Sequence, residues 1–324
     1  GALLGGTTIC LFDGSPTGSR AQPDHGVLWR FATTHRVTWF GAGAAFYAGC
    51  VKAGVDLTAC GDLQSIRALG STGSPLSDDV QQAISDQFAQ IGTANMWWCN
   101  ISGGTDVVGA FMGGNRELDT PAGRLQCRQL GCAIEAWDER GQSVINTVGE
   151  LVCTQPLPAM PLYLWGDTDG QRYISSYFDV YPNIWRHGDW LQVMEDGSCV
   201  IYGRSDATIN RHGLRMGTSE LYAAVEALPF VQDSLVIDLE YLGKESRMMM
   251  FVVLSEGMAL DQAAVAAIRD AIKTAVSPRF VPDDLIQAPS IPRTLSGKKQ
   301  EIPIRKLFLG HPLIMCLLPN FPAP

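Results

Sequence analysis

The chain lacks most of the features that would assign it quickly. Its nine cysteines contain no C-x-x-C pair and are odd in number. A disulfide framework is therefore not expected, and reduced, buried thiols in a cytosolic protein are the simpler reading. The five histidines never approach zinc-ligand spacing. There is no excess of positive charge: the formal net charge is −9. A nucleic-acid partner, which would want a basic face, is not expected, whereas a nucleotide held by local groups remains open. Long apolar runs are also missing. The stretch 307–318 is short and broken by His311-Pro312, so neither a signal peptide nor a membrane-inserting helix is expected. Internal repeats and low-complexity tracts do not occur.

What is present is a chain of 324 residues, 46% apolar and 18% charged. That length suggests two or three domains with sizeable cores. Residues 7–12 read as a buried strand. Helices near 26–34, 42–53 and 78–89 alternate with strands at 37–40, 66–69 and 96–101. Short connections between alternating strands and helices predict a mostly parallel, doubly covered sheet. After Asp106 the character turns to β, with strands near 107–112, 132–137 and 149–154. A hairpin is expected over 190–203, turning at Asp196-Gly197. From Arg204 a compact α+β pattern follows: a helix at 219–227, strands at 234–240 and 248–254, and a helix at 261–275. The expected domains are 1–106, part of a large α/β subdomain; 107–203, a small β-barrel-like subdomain; 204–310, a compact α+β domain; and 311–324, a divergent tail.

Several short constellations carry possible chemistry. Ser102-Gly103-Gly104-Thr105-Asp106 follows a strand directly. Strand ends in open α/β sheets are where ligands bind, and glycines let backbone come close to them. Thr105 suits a phosphate oxygen, and Asp106 suits Mg²⁺ through one carboxylate. The same residues also fit an ordinary glycine turn. Gly73-Ser74-Pro75 follows another strand but lacks the lysine and spacing of a Walker loop, and alone it reads as a turn. Asp189, after His187-Gly188, suits the two hydroxyls of a ribose, or simply a β-turn. Arg204 offers a planar, permanent charge at a strand end, and Asp206 sits at a domain junction as a hinge would. A surface ion pair between them is the bland alternative. Lys298, after Ser296-Gly297, suits a transferring phosphate, or merely a solvated basic loop.

In joint order, these segments together with Gly213-x-Arg215 match the motif order of acyl-CoA synthetases and related adenylate-forming (ANL) enzymes. The resemblance runs from about residue 1 to 310, and within the superfamily it is to the acetoacetate–CoA ligase family. The clues to that family are Ser-Gly-Gly-Thr-Asp at 102–106, the aromatic run before His187-Gly-Asp-Trp, and the stretch Arg293 to Phe308. The resemblance implies a partial doubly covered sheet, a β-barrel subdomain and a mobile C-terminal lid. It implies acetoacetate, ATP and CoA as small-molecule substrates, with Mg²⁺, in a cytoplasmic ligase passing through an acyl-adenylate. Gly73, Ser74, Pro75, Ser102, Gly103 and Gly104 would line the adenine and acyl side. Thr105 would touch the α-phosphate, and Asp106 would take a metal-linked role usually filled by Glu. Asp189 and Arg204 would hold the ribose, Asp206 would be the hinge, and Lys298 would serve adenylation. His212 and Gly213 would line the CoA path, with Arg215 near phosphate.

Two departures are visible. The family's phosphate loop, with its own lysine, is missing, as is about half of the large domain, and the tail after Leu309 is unlike the family's usual end. The chain opens without methionine in an apolar, glycine-rich run. A truncated, inactive fragment is therefore expected. Another short-chain acyl-CoA synthetase and a non-catalytic nucleotide- or CoA-binding module are the alternatives.

Overall fold

The computed structural model describes residues 5–19, 22–119, 121–205, 209–211, 214–239, 247–294 and 298–312. They divide into two compact units. The first comprises 1–134, 153–185 and 193–200; the second comprises 135–152, 186–192 and 201–324.

The first unit is built around α1 (Val27–Thr34), β1 (Trp39–Gly43), α2 (Ala44–Lys52), β2 (Ala68–Thr72), α3 (Asp78–Ile91) and β3 (Trp97–Asn100). The three strands form a parallel sheet in the order β1-β2-β3. Central β2, Ala-Leu-Gly-Ser-Thr, is buried along its first four residues, as a strand covered on both faces must be. α3 buries Gln81, Ile84 and Phe88, a stripe at helical spacing. Asp78 and Asp79 occupy its first turn, where the helix dipole favours acids, and Gly92 ends it at φ 98°. Trp29 lies at the centre of the core, stacked on Phe40 at 4.5 Å and edge-on to Phe88 at 5.9 Å.

Residues 7–12 are a correction. They form no strand, and Leu11 is 84% exposed. Apolar, β-prone residues become a buried strand only when a neighbour supplies a hydrogen-bonding edge, and none among the described strands does so here.

The same unit continues with β4 (Ser102–Gly104), β5 (Gly109–Gly113) and β6 (Cys127–Arg128), a three-stranded sheet in that order. A four-stranded sheet, most of whose residues belong to the second unit, is made from β7 (Ile134–Trp137), β8 (Val148–Cys153), β9 (Trp185–Val193) and β10 (Cys199–Arg204), in the order β10-β9-β8-β7. α4 (Gln171–Tyr177) lies between β8 and β9 in sequence. The β9–β10 connection turns at Asp196-Gly197, with Gly197 at φ 83°, a value that glycine adopts without steric cost. The barrel-like β region thus takes the form of open sheets: the described strands do not close.

The second unit then runs through β11 (Ile209–Arg211), β12 (Leu214–Met216), α5 (Thr218–Glu226), β13 (Val231–Leu239), β14 (Arg247–Leu254), α6 (Gln262–Ala275), β15 (Asp284–Gln287) and α7 (Glu301–Phe308). β14 alternates buried and half-buried residues, the period-2 signature of a strand with two faces. Met248, Met250 and Val252 join α5 and α6 in one core, which includes Ile268 and Ile272. Met249, Phe251 and Val253 pack on the other face with Ile237, Ile291 and Ile304. Asp261 caps α6 by accepting a hydrogen bond from the Ala264 amide at 2.8 Å.

Candidate functional site

In the first unit, parallel pairing sets the geometry. β2 and β3 run side by side, with Ser71 opposite Asn100. The segments that leave them, Gly73-Ser74-Pro75 and Ser102-Gly103-Gly104-Thr105-Asp106, therefore emerge at the same carboxyl end of the sheet. Gly73 adopts φ 92°, and a Cβ there would meet nothing within 4 Å. Gly103 has no such freedom: a Cβ on it would fall 2.1 Å from the Gly109 carbonyl oxygen. Its missing side chain is used by the β4–β5 contact. Thr105 is exposed. Asp106 accepts a hydrogen bond from the Tyr177 hydroxyl at 2.8 Å, through Oδ2. Tyr177 in turn stacks flat on Trp185, with ring centroids 3.7 Å apart and planes 13° off parallel. The aromatic run thus holds Asp106 by its phenol.

Two polar side chains at the same sheet end escape sequence reasoning. Ser71 Oγ and Asn100 Oδ1 are buried and have no hydrogen-bond partner among the described residues. Asn100 Nδ2 donates to Gln81 Oε1 at 3.1 Å, which fixes the amide and aims its oxygen elsewhere. A buried polar atom without a partner is costly unless water or a ligand satisfies it. The only sequence signal was their place at strand ends next to the two loops.

In the second unit, Asp189 on β9 is 13% exposed at its side chain. Its Oδ1 lies 3.6 Å from an Arg204 guanidinium nitrogen, and its Oδ2 lies 3.7 Å from His187 Nε2. Arg204 ends β10 and is 45% exposed, so its charge reaches solvent while Asp189 stays back. Beneath them is an acid that sequence reasoning passed over. Glu150 on β8 is buried, with Arg186 Nε at 3.2 Å and the Ser205 hydroxyl donating to it at 2.7 Å. Burial pushes its carboxyl above its ordinary value of 4.5, against the lowering pull of Ser205 and Arg186. Its position inside an apolar strand hid it.

Lys298 pairs with Thr294 through the backbone. Its amide donates to Thr294 Oγ1 at 3.1 Å, its carbonyl accepts from the Thr294 amide at 2.8 Å, and its side chain is exposed. Lys299, adjacent in sequence, is turned inward against Glu226 and the Ser234 carbonyl. The two lysines of the motif are thus clearly separated in environment. Arg215 lies on β12 opposite Asn210. Asp206, His212, Gly213, Ser296 and Gly297 lie outside the described residues. The structure therefore brings together Asp189 with Arg204, and the Gly73 loop with the Ser102–Asp106 segment, each pair within its own unit.

Among the described residues, no helix is long and apolar enough to cross a membrane. No group of three or more His, Cys, Asp or Glu side chains there could hold a metal ion.

No family model matches the chain. It is 38% identical over 311 residues to acetoacetyl-coenzyme A synthetase of Rhizobium meliloti (strain 1021), spanning 96% of this chain and 46% of that protein. To acetoacetyl-CoA synthetase of Gallus gallus it is 36% identical over 310 residues, 95% of this chain and 45% of the other. The solved acetoacetyl-CoA synthetase from Streptomyces lividans superposes with a TM-score of 0.87 at 44% identity, over 97% of this chain and 47% of that one. An anthranilate CoA ligase in complex with anthranoyl-AMP superposes with a TM-score of 0.73 at 18% identity, over 93% and 55% of the two chains, and so shares the fold. The chain spans about half the length of the curated relatives it matches.

Proposed function

The chain is an acetoacetyl-CoA synthetase homologue of the acyl-adenylate-forming superfamily, and from that premise we propose that it carries the ribose-holding, hinge and lid parts of an ATP-dependent acetoacetate–CoA ligase. The overall reaction would convert acetoacetate, ATP and CoA into acetoacetyl-CoA, AMP and pyrophosphate. The observation that carries this reading is the recessed Asp189 carboxylate beside Arg204, in a chain that aligns almost end to end with such synthetases. A recessed carboxylate flanked by a guanidinium can accept both hydroxyls of a ribose while the guanidinium reaches a sugar or phosphate oxygen.

The remaining roles are those that the family resemblance implies. Gly73, Ser74, Pro75 and Ser102, Gly103 and Gly104 line the adenine and acyl side, where Ser71 and Asn100 offer buried polar atoms. Thr105 presents its hydroxyl to the α-phosphate. Magnesium, when bound, would neutralise phosphate charge. Asp106 fits that ion, because Mg²⁺ commonly takes one or two carboxylates and fills its other positions with water and phosphate oxygens. Tyr177 holds Asp106 by donating to its Oδ2. Lys298 brings its ammonium to the transferring phosphate during adenylation. The segment 204–310 acts as a lid that turns about Asp206, withdrawing Lys298 and bringing His212 and Gly213 to the CoA path, with Arg215 near phosphate. A cytoplasmic location belongs to the same reading.

Calorimetric titration with a stable acetoacetyl-AMP analogue tests the binding half. Binding that disappears in Asp189→Ala supports the reading, and equal affinity of that variant would sink the ribose assignment. Acid-dependent pyrophosphate exchange tests the chemistry, with the chain assembled with the part of the R. meliloti relative that it does not span. Preference for acetate over acetoacetate would shift the assignment to another short-chain ligase. Analogue binding without exchange would leave a nucleotide-binding module.

A further inference from the structure

The chain on either side of the Thr294–Lys298 pair is clamped by charge. Residues Arg293 and Lys299 face each other as an isolated antiparallel bridge, and the Gln300 amide donates to the Pro292 carbonyl at 3.1 Å. Both basic side chains converge on one carboxylate, Asp233 of β13. Arg293 reaches it with two nitrogens, Nε to Oδ2 at 3.1 Å and a terminal nitrogen to Oδ1 at 2.7 Å. Lys299 Nζ lies 3.2 Å from Asp233 Oδ1. It also donates to Glu226 of α5 and to the Ser234 carbonyl, and sits 3.6 Å from the Tyr222 ring centroid. The Lys299 side chain is 13% exposed, so its charge is largely removed from water. Such a cation is retained only when its partners hold it well.

These contacts do more than fold the domain. Arg293 and Lys299, the residues next to the Thr294–Lys298 pair, are tied to one acid, while Lys298 itself is exposed. We propose that Asp233 is a positioning residue for Lys298: by gripping Arg293 and Lys299 together it fixes the backbone pairing of Lys298 with Thr294. Glu226 is its second point of attachment. The proposal rests on the adenylation role given to Lys298 above. Asp233 touches no substrate. By holding that pairing it lets the ammonium arrive at the phosphate already placed.

Amide hydrogen exchange on the chain itself tests the clamp. In Asp233→Asn, a near-isosteric change, the Thr294 and Lys298 amides should exchange about ten- to a hundredfold faster, the range expected for loss of a charge-assisted bond. The core amides of β14 should keep their rates. Lys299→Met should behave similarly, and Lys299→Arg should restore much of the protection. Unchanged rates at Thr294 and Lys298, or an equal rise throughout β14, would overturn the clamp. Single-turnover assays on the assembled ligase test its consequence. Asp233→Asn should slow acyl-AMP formation about 10–100-fold, as a misplaced catalytic group does, with the KM for ATP and thioester formation from supplied acyl-AMP little changed. Parallel loss of both half-reactions would show a merely structural role. Full adenylation by Lys298→Ala would instead sink the functional reading and leave the exchange result standing.

Discussion

Asp189 is the residue on which most depends. It is held within 4 Å of both Arg204 and His187 and is mostly withdrawn from solvent. Hydrogen bonds to a charged group are worth about 1.5–3 kcal/mol, so Asp189→Asn should weaken acyl-AMP binding about ten- to a hundredfold. Titration calorimetry reads this directly. Glu150 gives a prediction of different kind. Its carboxyl is raised above 4.5 in the folded state. The folded protein therefore binds more protons than the unfolded chain in the window above 4.5. The group favours folding most below that value, and this contribution is lost as pH rises through the folded one. Relative to the wild type, Glu150→Gln should gain stability as the pH rises above 4.5, measured as the difference in urea midpoint. Thiol chemistry separates the cysteines similarly. Burial pushes Cys50 and Cys199 up to about 11, whereas Cys10 is exposed. In native buffer a disulfide reagent should label Cys10 early and reach the other two only on unfolding. Asp189, Arg204 and Lys298 were legible because glycines and turn chemistry flag them. Glu150, Ser71 and Asn100 were not, since Glu150 sits inside a largely apolar strand, Ser71 and Asn100 sit near the ends of β2 and β3, and each acquires its meaning from a partner or a sheet end that only folding supplies.

At the scale of elements, periodicity was a good guide where burial was one-sided. The spacing of Gln81, Ile84 and Phe88 and the acids at 78–79 locate α3 closely. β14 and α6 were readable from alternation and from the Asp261 cap. That cap is testable: Asp261→Ala should cost about 1 kcal/mol, seen as a lowered denaturant midpoint with an unchanged slope. Reading failed where pattern and partner part company. Residues 7–12 have the composition of a strand and no strand beside them. The helix α7 begins at Glu301-Ile-Pro303, and a proline in the first turn reads as a breaker although it is tolerated there. Glu301 is secured by tertiary contacts, accepting from the Thr218 hydroxyl at 2.7 Å and from the Tyr222 hydroxyl. The Lys298 segment shows the same limit. Two adjacent lysines look alike in sequence, and only the acids at 226 and 233 decide which one faces inward.

For the molecule as a whole, each unit has a core of its own, one centred on Trp29 and the other on the face of β14 that meets α5 and α6. The discontinuous boundaries at 135–152 and 186–192 could not be read from composition, because they fall inside the continuous strands β7, β8 and β9. Charge acts at this scale too. With a net charge of −9, the chain should fail to retard duplex DNA in a gel at physiological salt while still binding an acyl-AMP analogue. Retardation of the duplex would mean that a local basic surface outweighs the overall balance.

The contact at Gly103 reaches beyond this one chain. Because the Gly109 carbonyl occupies the space a Cβ would need, a saturation library at that codon should return glycine alone, whatever acid the library is selected on. Engineers seeking a ligase for bulkier or smaller acids would find this position closed to them. Its sequence would be held by the seam between two strands, and selection for a new substrate would have to act on neighbours whose side chains have room to vary.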